Sequence, residues 1–241
     1  MRDSEIDLCG VEGGGRAPDM PYLAAEDRFA FRCAGCGGCC RGREDIVLSG
    51  YDLYRLSRRL GLPPKLTAQA FCRRYIGTVS RLPVLRLAPV RAAGNNCPFL
   101  TEGRCAVHQA RPLVCALYPL GQEISPEGQA SYYFQGTRCG GTVHEGTLAA
   151  YLEAQGIARR EPLDILWACR CMELERQAPG WAELFQPVVL RRFQAKVCQA
   201  LYYRYDLERP WPQQFEENLL WLEGQKARLA EMQRHIHRKN R

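Results

Sequence analysis

The run Cys33, Cys36, Cys39 and Cys40 constrains this chain more than any other feature. Three thiols at two-residue spacings, with a fourth directly after, can be aimed at one point by a tight turn. Thiolates bind soft or borderline metals and iron–sulfur clusters far better than oxygen ligands do. Gly35, Gly37 and Gly38 interleave the sulfurs and suit a backbone that bends sharply through positive φ. The segment therefore reads as a metal-binding loop.

The cysteine total supports that reading. Thirteen cysteines stand in 241 residues, and neither a secretory signal nor an apolar run near the ~18 residues of a membrane span is present. A cytosolic, soluble protein is expected. In a reducing compartment disulfides are a poor use for so many thiols, and metal ligation explains them better. An exported chain could pair them, but the odd total would leave at least one over. With 46% hydrophobic residues the chain can build one sizeable core. Its net charge of +7 comes partly from the stretch 234–241 and partly from scattered arginines, and reads as a solvated basic surface ahead of a nucleic-acid face.

Three regions follow from the patterning. Residues 1–20 are rich in Gly, Asp and Glu without periodicity and read as a poorly ordered leader. Residues 21–145 read as a small, metal-stapled α+β layer, and residues 146–241 as helices packed on it, so the expected class is α+β. Ser49 with Asp52 marks a capped helix carrying Leu53, Leu56 and Leu60 and stopping at Gly61. A second helix is predicted from Thr67, stapled by Leu66 and Phe71 and continued by Tyr75. Val84, Leu85 and Leu87 between prolines predict a strand. Short strands are expected around residues 106–108 and 132–134, with a helical turn or two over 113–118. Further helices are predicted from 147 to Gly156, over 163–177, and across 181–205 with a break at Pro187. A last amphipathic helix runs through Phe215, Leu219, Leu222, Leu229 and Met232, and packs on the body or on a second subunit.

The thiol spacing admits more than one centre. Cys33, Cys36 and Cys39 with the remote Cys97, followed by a proline, have the pattern of bacterial 4Fe–4S sites. Cys-x-x-Cys elements equally build a tetrahedral four-cysteine zinc site. Cys40 points away from its neighbour and belongs either to a second centre with Cys105, Cys115 and Cys139, or to a set of reduced structural thiols. His108 is a candidate ligand or a donor to a ligand sulfur. Arg111 can offset thiolate charge or orient the loop through a salt bridge, and Tyr118 either donates near the site or packs. Cys72 and Cys198 read as buried apolar residues; Cys169 and Cys171 would lie about 200° apart on a helix and chelate poorly together. Cys9 in the leader, and His235 and His237 in the tail, read as solvated. Hydrolase elbows, phosphate loops and dinucleotide fingerprints are missing from the sequence.

Cys33, Cys36, Cys39 and Cys40, the Cys-Pro-Phe-Leu string from Cys97, the His-x-x-Arg-Pro-x-x-Cys-x-x-Tyr-Pro string from His108, and Cys139 before Gly140 together resemble one family. It is the CxxCxxCC, or YkgJ-type, cysteine-cluster family, and the resemblance covers Arg32 to Leu152. It implies all eight of these cysteines as candidate ligands. Members are described as iron–sulfur oxidoreductases or as zinc or iron chelators, and a flagellin lysine N-methylase is similar in its cysteine cluster. The helical C-terminal part departs from the pattern, and no family function attaches to it.

Three functions compete. The first is an iron–sulfur protein, 4Fe–4S by its spacing, with redox or group-transfer chemistry and a redox or protein partner; methyl transfer would also demand S-adenosylmethionine. The second is a module folded by zinc whose helices bind a protein or nucleic acid. The third is a metal-handling protein with exchangeable sites.

Overall fold

The computed structural model describes residues 20–137 and 145–239. The predicted leader up to residue 19, with Cys9, and Cys139 lie outside the described residues.

After β1 (Tyr22–Leu23) the chain passes through the cysteine run into β2 (Val47–Leu48) and α1 (Gly50–Leu60). Helix α1 begins and ends where its residues dictate. Ser49 accepts the Asp52 N–H at 3.0 Å, Asp52 accepts the Ser49 N–H at 3.1 Å, and Gly61 closes the helix at φ 65°.

The second helix starts earlier than predicted. α2 spans Pro64–Phe71 because Pro64 supplies a ready-made first-turn φ, and Thr67 is used elsewhere, meeting Ser57 through their hydroxyls at 3.0 Å. Tyr75 does not extend that helix. It lies in β3 (Cys72–Ile76), which pairs antiparallel with the expected strand, β4 (Pro83–Leu87). The resulting sheet has the order β2-β4-β3. A tight hairpin, β5 (Leu100–Thr101) and β6 (Arg104–Cys105), comes next; the short strand expected around 106–108 is instead a turn at 106–107 running into a 3-10 turn over His108–Ala110.

A single turn and a half, α3 (Leu113–Leu117), leads to β7 (Leu120–Ile124) and β8 (Ala130–Phe134), which join β1 in a sheet ordered β1-β8-β7. The rest is helical: α4 (Leu148–Ala154), α5 (Ile157–Leu184), α6 (Pro187–Cys198) with a π-turn over 199–203, and α7 (Trp211–Lys239). The architecture is α+β.

Helix α5 is far longer than the segment 163–177 suggested. Pro162 and Pro179 both lie inside it, but on its exposed side, where water can serve the carbonyl each proline strands. Its buried residues Ile157, Arg160, Asp164, Trp167, Cys171, Leu174, Ala178 and Trp181 form an inward seam of alternating steps of three and four.

The main core joins both halves of the chain. Leu48, Leu53, Leu56, Leu85 and Leu87 belong to one cluster with Trp167, Phe193, Leu201, Tyr202, Trp211 and Phe215. The contact is close enough to dictate Gly50, where a Cβ would stand 2.3 Å from the Leu201 carbonyl oxygen and 2.6 Å from the Trp167 ring. A smaller cluster holds Phe29, Ala116, Leu117, Leu120, Tyr132, Leu148, Tyr151 and Ile157, so α3 is packed from beneath.

Candidate metal centre

Glycine conformations build the cysteine loop. Gly35 and Gly37 sit at φ 65° and 69°, and the chain then closes a 3-10 turn, Gly38–Cys40, with the Cys40 N–H donating to the Gly37 carbonyl at 3.0 Å. Gly37 is also the point where the loop rests on the β5–β6 hairpin: a Cβ there would lie 2.6 Å from the Gly103 carbonyl oxygen and 2.8 Å from Leu100 Cδ1. The hairpin turns through Glu102 and Gly103, both at positive φ, as a two-residue turn requires.

That docking brings distant thiols together. The Cys97 N–H donates to the Cys40 carbonyl at 2.8 Å, Cys105 stands opposite Leu100 in the hairpin, and Cys115 lies on α3. Cys33, Cys36, Cys39, Cys40, Cys97, Cys105 and Cys115 all line one cavity of about 60 Å³. Cys33 and Cys36 are exposed at its mouth and Cys97 is buried; the described cysteines form no disulfide. The thiols of Cys39 and Cys40, and of Cys40 and Cys97, are within hydrogen-bonding reach of each other. Among the described residues, no three His, Cys, Asp or Glu side chains are gathered as a ready pocket for one metal ion.

Crowding governs how these thiols hold their protons. Cys39 is pushed well up by its bond to Cys40 and by burial. In Cys40 the bond to Cys39 pulls down, but the bond to Cys97 and burial outweigh it and leave the thiol pushed up to about 11. Burial, then the neighbouring Cys40 and Cys39, raises Cys115; burial raises Cys105. Cys97 alone is lowered, chiefly by its bond with Cys40. Most of the cavity is therefore protonated near neutral pH, and a cation entering it must displace protons.

Residues 32–139 match the family model CxxCxxCC, described as "Putative zinc- or iron-chelating domain". That segment is similar to the CxxCxxCC family. No curated protein and no solved structure matches the chain. The CxxCxxCC match begins one residue before Cys33 and ends on Cys139, so it encloses all eight candidate thiols and leaves α4 to α7 outside. The donor set fits the described chemistry, since seven cysteine sulfurs and one imidazole along the lining suit zinc and iron better than the hard cations that prefer oxygen.

The remaining predicted residues of the matched segment stand at the cavity wall. His108, Arg111 and Tyr118 all line it. Arg111 Nη1 lies 2.9 Å from Nδ1 and 2.8 Å from Nε2 of His108, and its other arm donates to Gln155 of the α4 C-cap. Burial and the Arg111 charge lower the His108 pKa, so the imidazole is neutral at pH 7. Tyr118 has its hydroxyl 3.2 Å from Thr137 Oγ1 and its ring edge-on to Phe31. Cys72, Cys169, Cys171 and Cys198 do not line the cavity; burial pushes Cys72 up to about 12.

Sequence reasoning missed four residues. Arg43, paired with Asp45, sits close enough to Cys39 and Cys115 to lower both thiols against the other influences. Gln155 reaches the cavity from the helical part. Asp52 was legible only as a cap, yet its Oδ1 accepts the Leu113 N–H of α3 at 3.0 Å and meets Arg160 Nη2 at 2.7 Å. Nothing near Arg160 in the sequence marks it as a partner of that carboxylate.

Proposed function

We propose that the cavity holds an iron–sulfur cluster, anchored by Cys33, Cys36, Cys39 and Cys97, and that the protein exchanges electrons with a partner protein at its exposed cysteine edge. The observation that carries this reading is that seven cysteines, drawn from four separate stretches of the chain, line one cavity. Tetrahedral zinc needs four donors roughly 2.1–2.3 Å from a single point. Thiols spread around a cavity suit the larger cluster, and the Cys-x-x-Cys-x-x-Cys run with a remote Cys-Pro is the pattern such clusters use. When bound, a cluster of this kind takes up and releases electrons.

The chain's own residues support the role in two ways. Arg43 and Arg111 place guanidinium charge against the thiol ring, which opposes the repulsion of several thiolates held together. Cys33 and Cys36 are exposed, so one side of the ring is open to a partner while Cys97 and Cys115 stay against the core. Cys40, Cys105 and Cys115, with Cys139, remain as donors for a second centre.

Anaerobic purification with iron, zinc and acid-labile sulfide analysis and a visible spectrum tests the reading. Iron and sulfide in matching amounts, with charge-transfer absorption lost in Cys36→Ala, is the expected result. Zinc without sulfide would overturn it and make the centre structural, with the search for function moving to the helices.

A further inference from the structure

We propose that Asp52, clamped by Arg160 of α5, is a positioning residue for Cys115, so that the helical part outside the CxxCxxCC match sets one wall of the thiol cavity. The inference rests on the metal-centre reading for its meaning, but its geometry belongs to the protein alone. Helix α3 is five residues long, and the residue preceding it, Pro112, offers no side-chain cap. Its first residue, Leu113, has an N–H without a partner inside the helix, and Cys115 follows two residues later.

The missing cap comes from another helix. Asp52 Oδ1 accepts that N–H at 3.0 Å, while its Oδ2 accepts the Ser49 N–H at the start of α1. One carboxylate therefore ties the two helix starts together. It is 2% exposed, and a buried carboxylate needs a cation to remain charged. Arg160, 4% exposed, supplies it: Nη2 lies 2.7 Å from Asp52 Oδ1, and Nε and Nη2 each lie 2.7 Å from an oxygen of Asp164 one turn along α5. The guanidinium also stands over the Tyr51 ring at 5.5 Å. Both acids of this network are fully enclosed, so its arrangement is transmitted to α3 through a single direct hydrogen bond. Gln155, bonded to Arg111, gives the helical part a second hold on the same cavity.

The test uses the full-length metal-free chain, so its outcome is independent of which metal binds. Wild type, Arg160→Gln and Asp52→Asn are treated with iodoacetamide, and alkylation of each cysteine is followed by mass spectrometry. Arg170→Gln, which removes two half-exposed ion pairs made by the same helix, to Glu173 and to Glu216, serves as control. In Arg160→Gln, Cys115 should react about tenfold faster while Cys97 and Cys198 stay within about twofold, since α3 opens locally with the core intact. Asp52→Asn, which keeps an acceptor oxygen, should show the same selectivity at smaller amplitude, and the control should show none. Unchanged Cys115 in folded variants would overturn the proposal. So would a uniform rise at Cys115, Cys97 and Cys198 in both variants, which would make the network a general stabiliser.

Discussion

Gly37 shows how much of the cavity hangs on one residue. Its φ of 69° costs any L side chain roughly 1–2 kcal/mol, and the space for a Cβ is taken by backbone of the β5–β6 hairpin, which cannot swing aside as a side chain would. Gly35 has the same hand, φ 65°, with nothing within 4 Å of its missing Cβ. Gly37→Ala should therefore lose most of its bound metal on anaerobic purification, while Gly35→Ala retains the larger share; equal retention by the two would show that hairpin docking is unimportant. The glycines were legible in the sequence as bend residues. That one of them is a contact surface was not, because the opposing carbonyl at Gly103 lies 66 positions away in the chain and is placed by the fold.

At the scale of elements, α5 explains why periodicity failed where it did. Its seam is regular, but Arg160 and Asp164 occupy two inward positions, so the apolar pattern is visible only from Leu163 onward and the first turn and a half look polar. Those two positions also carry a pH signature. Burial raises the Asp164 pKa from 3.8 to about 6, even though the Arg160 charge and hydrogen bond pull it down. The folded chain thus binds this proton more tightly than the unfolded chain does. Its contribution to stability is full below pH 4 and is lost as pH rises through 6, by on the order of 3 kcal/mol. Asp52, Arg160 and Arg55 face the same carboxyl. Thermal unfolding of wild type relative to Asp164→Asn between pH 4 and 7 should show the wild type losing ground as pH rises, and a flat difference would refute the assignment.

For the whole molecule, the question is whether the cysteine-bearing half stands alone. Its leucines at 48, 53, 56, 85 and 87 are covered by Trp167, Phe193, Leu201 and Tyr202 of the helical half. Uncovering five leucines forfeits roughly 1.5–3 kcal/mol each, which matches or exceeds the whole stability of a typical domain, about 5–15 kcal/mol. A chain ending at residue 145 should therefore be aggregated or molten by circular dichroism and dye binding, whatever metal is supplied. A cooperatively melting fragment would contradict this. Among the described residues no helix is long and apolar enough to cross a membrane.

What the sequence determined by itself is local or chemical. The clustered thiols, the bends between them, the capping of α1 and the α+β order of elements follow from residue type and short spacing, because a turn, a cap and a thiol's chemistry depend on neighbours a few positions away. The tertiary structure decided which thiols share a cavity, which carry their protons, and which residues hold the wall behind Cys115. Cys40 meets Cys97, and Asp52 meets Leu113 and Arg160, across 57, 61 and 108 positions. Contacts at such separations arise from packing two halves of one core together, and no pattern within either half encodes them.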